Sequence, residues 1–232
     1  MSLVIVGIGG PSSSGKTTVA RALHSLLPKA TLIHLDDFYY PDDQIPMDSS
    51  KNVENWDCPE AIDWEKFKAY IKELRSNDGA SLPVKSLEMD TPLRLNDGDV
   101  AQLQSEVDTF LQSIEGKRLI FVEGFMLFHD REVSSLFDKK LFFHGPHDVL
   151  KERRESRPGY QTVDGFWEDP PNYFDNIVWP EYRRTHSHLF INGDVEGELN
   201  DESKQHGIAD YSNDGTSNLV QLTQWALEKM TI

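Results

Sequence analysis

Apolar positions change period several times along these 232 residues, and the changes mark the elements. Leu3 to Gly7 is an unbroken, partly β-branched run closed by glycine, which predicts a short buried strand. From Thr17 to Leu27 the apolar residues Val19, Ala20, Leu23, Leu26 and Leu27 keep helical spacing, and Pro28 stops them. Ala30 to Leu35 predicts a second strand, so the chain opens as a βαβ unit with parallel strands. Further helices are expected over 62–74, 100–114, 150–156 and 219–230. Further strands are expected at Leu119–Val122, Lys140–His144 and Leu189–Ile191. Residues 40–60 read as a Pro- and Asp-rich loop, and 76–99 are polar and poorly patterned. Residues 194–217 are acidic and rich in Gly, Asn and Ser, which predicts a mobile loop.

Strands alternating with helices predict one α/β domain over 1–232. It has three layers, with helices on both faces of a mostly parallel sheet of about five strands. Residues 37–100 read as a substrate-side insertion over the strand ends, and 151–182 as a lid-like segment.

Composition narrows the partners. Apolar residues make up 38%, enough for a globular core, while the net charge is −16. Such a surface repels nucleic acid and anionic membranes, so an anionic ligand needs a local positive pocket. The single cysteine, Cys58, allows no internal disulfide and fits a reducing compartment. No apolar run has the length of a membrane span, and the N-terminus does not read as a signal peptide. The expectation is a cytosolic protein, with nuclear entry left open. Its oligomeric state is not set by the sequence, and a monomer fits it.

That pocket has an obvious place. "GPSSSGKT", Gly10 to Thr17, matches G-x-x-x-x-G-K-[ST] in full, between a predicted strand and a predicted helix. Gly10, Ser12, Ser13, Ser14, Gly15, Lys16, Thr17 and Thr18 are therefore the candidate nucleotide-binding residues. The amides of 13–17 would point at an anion, Lys16 at the terminal phosphates and the Thr17 hydroxyl at Mg²⁺. This chemistry calls for a nucleoside triphosphate with Mg²⁺. Neither an N-K-x-D base-reading motif nor an L-S-G-G-Q signature follows, which favours a small-molecule kinase over a signalling GTPase or a transport ATPase.

"HLDDFYYPDD", residues 34–43, then puts four carboxylates close behind the phosphate loop. An acid there cannot help by touching phosphate. It can hold Mg²⁺ through water or take a proton from an attacking hydroxyl. In extended chain only one of Asp36 and Asp37 faces the site, and Asp36 is the candidate. Glu123 ends the "LIFVE" strand at a second metal-binding position, so Thr17, Asp36 and Glu123 are the candidate metal residues. "KERRESR", 151–157, is the densest positive cluster, and it suits a lid over phosphates.

The segments "GPSSSGKTT", "LDDFYYPDD", "NWDCPEAID", "VEGFMLF", "ERRESRPGYQT" and "DPPNYFDNIVWPEY" occur in one order. Together they resemble the nicotinamide riboside kinases, within the wider uridine kinase and phosphoribulokinase group, over most of 3–193. The resemblance implies transfer of the ATP γ-phosphoryl to the 5′-hydroxyl of nicotinamide riboside, giving nicotinamide mononucleotide for NAD biosynthesis. It implies Asp36 as general base, Trp56 stacking on the nicotinamide ring and Asp57 binding the ribose hydroxyls. It puts Phe38, Tyr39, Arg154, Tyr160 and Gln161 on the substrate side, and Arg153 and Arg157 on the nucleotide side. The chain departs from the vertebrate pattern at Trp56, in place of tyrosine, and at Pro158-Gly159, which adds a residue before Tyr160. Placed in a polar loop, Trp56 is expected to be exposed. A uridine or cytidine kinase of the same group stays open, as does a nucleotide-binding protein without transfer activity.

Overall fold

The computed structural model describes residues 2–79, 86 and 95–231. Its elements run β1 (Ser2–Gly9), α1 (Lys16–Leu26), β2 (Thr31–His34), β3 (Met47–Asp48), β4 (Val53–Glu54), α2 (Trp64–Ser76) and α3 (Asp97–Ser113). They continue β5 (Lys117–Gly124), α4 (Arg131–Ser134), β6 (Lys139–His144), α5 (His147–Glu155), β7 (Tyr160–Gln161) and β8 (Phe166–Trp167). The chain ends α6 (Trp179–His186), α7 (Asp201–Gln205), β9 (Ile208–Ser212) and α8 (Leu219–Met230). Most of the polar stretch 76–99 lies outside the described residues.

Five strands form one parallel sheet in the order β2-β5-β1-β6-β9. The first two strands are thus parallel but not neighbours, because β5 inserts between them. Alternation along β1 sends Val4, Val6 and Ile8 into one apolar layer and Ile5 into the other. The first layer holds side chains of α1, α3 and α8; the second holds α2, the 125–137 segment and Tyr182 of α6. All strand C-termini fall on one edge, with Gly9 beside Gly124 and His34 beside Glu123. In an open α/β sheet that edge carries the ligand crevice.

Two expectations fail here. Leu189–Ile191 is not a strand: Leu189 closes one 3₁₀ turn and Ile191 opens another, around a bridge from Phe190 to Leu199. Only Leu189 and Phe190 are buried, and Ile191 is 46% exposed, so the triplet does not fill a sheet position. The fifth strand is β9 instead, inside the stretch expected to be a mobile loop. Residues 194–217 also hold α7, capped by Asn200, and bury Val195, Leu199, Ser203, Ile208 and Asn213.

One buried histidine gives the fold a pH dependence. His186 on α6 stacks beside Phe142 and contacts Tyr182, and burial, with His129 and His188 nearby, pushes its pKa down to about 3. The folded state therefore keeps His186 neutral while the unfolded chain protonates near pH 6.5. Its contribution is whole above pH 6.5 and is lost as pH falls toward about 3, at roughly 1.4 kcal/mol per unit. Urea unfolding at pH 6.5 and pH 5 should differ by about 2 kcal/mol more in the wild type than in His186→Gln. Equal pH slopes in the two proteins would show that His186 is not the source.

Candidate active site

The phosphate loop leaves β1 at Gly9. Gly10 has φ +138°, and a Cβ there would lie 1.8 Å from the Phe143 carbonyl of β6, so only glycine fits. Gly15, at φ +99°, begins α1 without any side-chain cap, which leaves the first amides of the helix available to an anion. The Ser13 and Ser14 hydroxyls are buried without hydrogen-bond partners, donors waiting for an acceptor. Ser12 is buried as well, and Thr18 is exposed at the start of the helix.

The loop is held from outside by two side chains. Arg153 Nη1 donates to the Ser13 carbonyl at 3.4 Å, and its Nη2 to Asn213 Oδ1 at 3.3 Å. Asn213 Nδ2 donates to the Ser14 carbonyl at 2.9 Å. Arg153 thus touches the backbone of the phosphate loop. Asn213 was not foreseen; it follows β9, in the segment read as an unstructured loop.

Glu123, at the end of β5, is fully buried. Its Oε2 accepts from Thr17 Oγ1 at 3.1 Å, and its Oε1 lies 2.8 Å from His34 Nδ1. Burial alone would raise its pKa, but the His34 bond and the nearby Lys16 charge outweigh that and hold it below the usual range. A buried carboxylate therefore stands ionised beside the threonine hydroxyl.

Asp36 and Asp37 do not lie on extended chain. Leu35–Phe38 is a 3₁₀ turn that follows β2, so the alternation argument does not apply. The turn still separates the two acids. Tyr39 is raised well above its ordinary pKa by burial and then by the charges of Asp36 and Asp57. Tyr70 on α2 is raised by burial and then by Asp37. Asp36 therefore shares a field with Asp57, whereas the charge of Asp37 is felt at Tyr70 of α2. Phe38 is fully buried against Phe67 and Tyr70, so it is a core residue and not a substrate contact.

A second polar cluster is built on Arg154 of α5, buried despite its charge. Its Nη1 and Nη2 donate to the two Asp57 oxygens at 3.0 and 3.2 Å, and its Nε and Nη2 to Asp169 at 2.7 and 3.0 Å. Burial disfavours the cation, but the Asp57 charge more than offsets this and raises its pKa. Burial pushes Asp57 upward against the pull of Arg154, and the charge of Lys16 reaches it too. The charge of Lys16 thus lowers the pKa of both Glu123 and Asp57. Asp169 is a second residue that sequence reasoning missed, although it lies inside a motif already noted.

Aromatic rings surround this cluster. Tyr160 lies over Arg154 at 4.6 Å, its hydroxyl buried without a partner, and Arg157 lies 5.6 Å from the same ring. Arg157 is otherwise exposed. Gln161 is exposed too and donates to the Gly165 carbonyl of its own hairpin, away from the cluster. Tyr39 donates its hydroxyl to the Trp56 carbonyl at 2.9 Å. Trp56 itself is only 6% exposed, packed with Ile45, Cys58 and Ala61, so the expected exposed indole is a buried one. Its flanking polar residues misled, because Asn55 and Asp57 are themselves buried and hydrogen-bonded.

Comparison with known proteins gives the family of the chain. Residues 5–161 match the Phosphoribulokinase / Uridine kinase family. A nicotinamide riboside kinase of Saccharomyces cerevisiae is 41% identical, covering 98% of this chain and 95% of its own length. One of Eremothecium gossypii is 40% identical over 84% of this chain and 81% of its own. One of Schizosaccharomyces pombe is 34% identical over 98% and 96%.

Proposed function

This chain belongs to the Phosphoribulokinase / Uridine kinase family and, within it, to the nicotinamide riboside kinases, and we propose that it transfers the γ-phosphoryl group of ATP to the 5′-hydroxyl of nicotinamide riboside. The product, nicotinamide mononucleotide, feeds NAD biosynthesis. One observation carries the reading: a complete phosphate loop, with Thr17 Oγ1 on the buried Glu123 at 3.1 Å, stands at the strand-end edge of the sheet together with a buried Arg154–Asp57 pair at 3.0 Å.

In this reading the amides of residues 13–17 and the Lys16 ammonium hold the terminal phosphates. Asp57 and Arg154 take the ribose diol, since a carboxylate accepts from two neighbouring hydroxyls with charge-assisted bonds. Asp36 takes the proton as the 5′-oxygen attacks the γ-phosphorus. The bond from that phosphorus to the bridging oxygen breaks, and ADP leaves with the electron pair. Arg153 steadies the loop backbone at Ser13, and Arg157, exposed and 5.6 Å from the Tyr160 ring, is assigned to the nucleotide.

The donors also fit Mg²⁺. Thr17 Oγ1 and Glu123 Oε2, 3.1 Å apart, are hard oxygens, and Asp36 follows the neighbouring strand. Among the described residues no three His, Cys, Asp or Glu side chains form a metal cage. That suits an ion which keeps waters and shares phosphate oxygens. Thr17, Asp36 and Glu123 would hold it, and it would offset the charge that develops on the phosphates.

The net charge of −16 supports small-molecule partners over nucleic acid, and a monomer. No helix among the described residues is long and apolar enough to cross a membrane, and the lone cysteine supports a cytosolic setting, with nuclear entry left open. The test is ADP release with ATP and a panel of nicotinamide riboside, uridine and cytidine. Nicotinamide riboside should give the highest kcat/KM, with activity lost in excess chelator and restored by Mg²⁺. Preferred turnover of a pyrimidine nucleoside would overturn the substrate, and full activity in chelator would overturn the metal.

A further inference from the structure

His34 ends β2 and takes no part in the phosphate loop or in the proposed proton transfer, yet it is buried at the site. Parallel pairing sets its Cα opposite that of Glu123, near the end of β5. Its Nδ1 lies 2.8 Å from Glu123 Oε1, while Glu123 Oε2 accepts from Thr17 Oγ1 at 3.1 Å. Each oxygen of the carboxylate thus has its own partner, one on β2 and the other at the start of α1.

The bond between the two strands has a definite sense. Burial works against the charge of Glu123, yet its pKa stays below the usual range, so both its oxygens accept and His34 Nδ1 carries the hydrogen. A bond from a neutral donor to a buried ionised acceptor is strong and directional. Without it, Oε1 would lose the donor that β2 supplies in a setting where water does not replace it. The carboxyl group could then turn about its last bond and draw Oε2 away from Thr17.

The histidine itself has little room to move. The chain beyond β2 approaches β5 closely, since a Cβ on Gly124 would lie 2.4 Å from Leu35 Cβ. His34 keeps extended backbone, at φ −104°, immediately before the 3₁₀ turn Leu35–Phe38. Its imidazole is therefore aimed by a strand end that the sheet register and this close approach both fix.

We propose that His34 is a positioning residue for Mg²⁺: its Nδ1–H holds Glu123 Oε1, so that Oε2 and Thr17 Oγ1 stay turned together toward the cation of the nucleotide. The proposal rests on the metal placement in the functional reading above and not on the nucleoside, so preferred turnover of uridine leaves it standing. Groups that orient a metal's ligand without touching the metal change its affinity by roughly ten- to a hundredfold when removed.

The experiment measures Mn²⁺ binding to the full chain in the presence of ADP, by the loss of the free ion's paramagnetic resonance signal. It compares wild type with His34→Ala, His34→Asn and His34→Gln. Mn²⁺ suits the same hard oxygen donors as Mg²⁺. An asparagine amide puts its N–H donor where Nδ1 sits, and a glutamine amide carries it one carbon further. His34→Ala and His34→Gln should weaken Mn²⁺ binding roughly tenfold or more, and His34→Asn should stay within about threefold of wild type. ADP affinity in excess chelator should be the same in all four proteins, because the phosphate-loop amides hold the nucleotide without the metal. The Mg²⁺ concentration for half-maximal activity should rise in the same order, with the riboside KM unchanged. A folded His34→Ala protein with wild-type Mn²⁺ affinity overturns the proposal. So does a glutamine variant that binds Mn²⁺ as tightly as the asparagine one, a comparison that stands even where the alanine variant fails to fold. Weaker ADP binding in chelator would make His34 a structural support and overturn it as well. Wild type that binds no Mn²⁺ with ADP overturns the metal placement, and the proposal with it.

Discussion

Asp36→Asn should cut kcat by roughly 10² to 10⁴ while the KM values for the riboside and for ATP change little. The residue sits on the 3₁₀ turn Leu35–Phe38, just past the end of β2 and one strand from Glu123. Its charge and that of Asp57 both act on the buried Tyr39. Asparagine keeps the size and one oxygen but takes no proton. A proton transfer occurs only in the transition state, so its loss falls on kcat; a lost ground-state contact would fall on KM. Asp37→Asn is the internal control, because the charge of Asp37 acts on Tyr70 of α2, and it should leave turnover near normal. Steady-state kinetics with riboside and ATP varied separately decide it. A tenfold rise in riboside KM with kcat intact would make Asp36 a binding residue and remove it as the base.

What could be read from the chain was what its chemistry makes local. The phosphate loop is one continuous motif, and its two glycines are needed where the backbone turns. Helix α8 begins and ends where its pattern does, because Asn218 and Gln221 form a capping box before a long apolar face. Strand β9 hid because it is an edge strand: "IADYS" buries one apolar side chain well and leaves the rest half-wet, so it reads as loop. Leu189–Ile191 misled the other way, as an apolar triplet too short to tell a strand from a turn. The polar part of the site was legible only in fragments. Asp57 and Arg154 meet across 97 residues, and Asn213 and Ser14 across 199. No local spacing encodes such pairs, since the parallel sheet brings them to one edge only after it forms. Asp169 opens the "DPPNYFDNIVWPEY" segment, but its bonds to Trp167 and through Arg154 to Asp57 exist only in the folded chain.

Lys16→Ala should lower kcat/KM by on the order of a hundredfold or more, with the fold retained. The side chain is half-exposed at the first position of α1, where neither the core nor the cap depends on it. Retention of structure is therefore expected, with a Tm within a few degrees of wild type. The loss in rate has two sources. One is the ammonium itself, a point charge on the phosphoryl group whose negative charge shifts during transfer. The other is the field that Lys16 lends to its neighbours. Its charge helps to hold the buried Glu123 below the usual carboxylate range, against burial that pushes the other way. Removing it lets the Glu123 pKa climb, so the acid limb of the pH–rate profile should move to higher pH in Lys16→Ala. Lys16→Arg should not restore full activity, because a planar fork does not replace a compact ammonium in a loop closed around phosphate. Together, a large fall in kcat/KM, an unchanged Tm and a shifted acid limb identify Lys16 as the link between loop and metal-side acid. A folded Lys16→Ala protein with near-normal turnover would mean that the loop binds nucleotide without driving transfer.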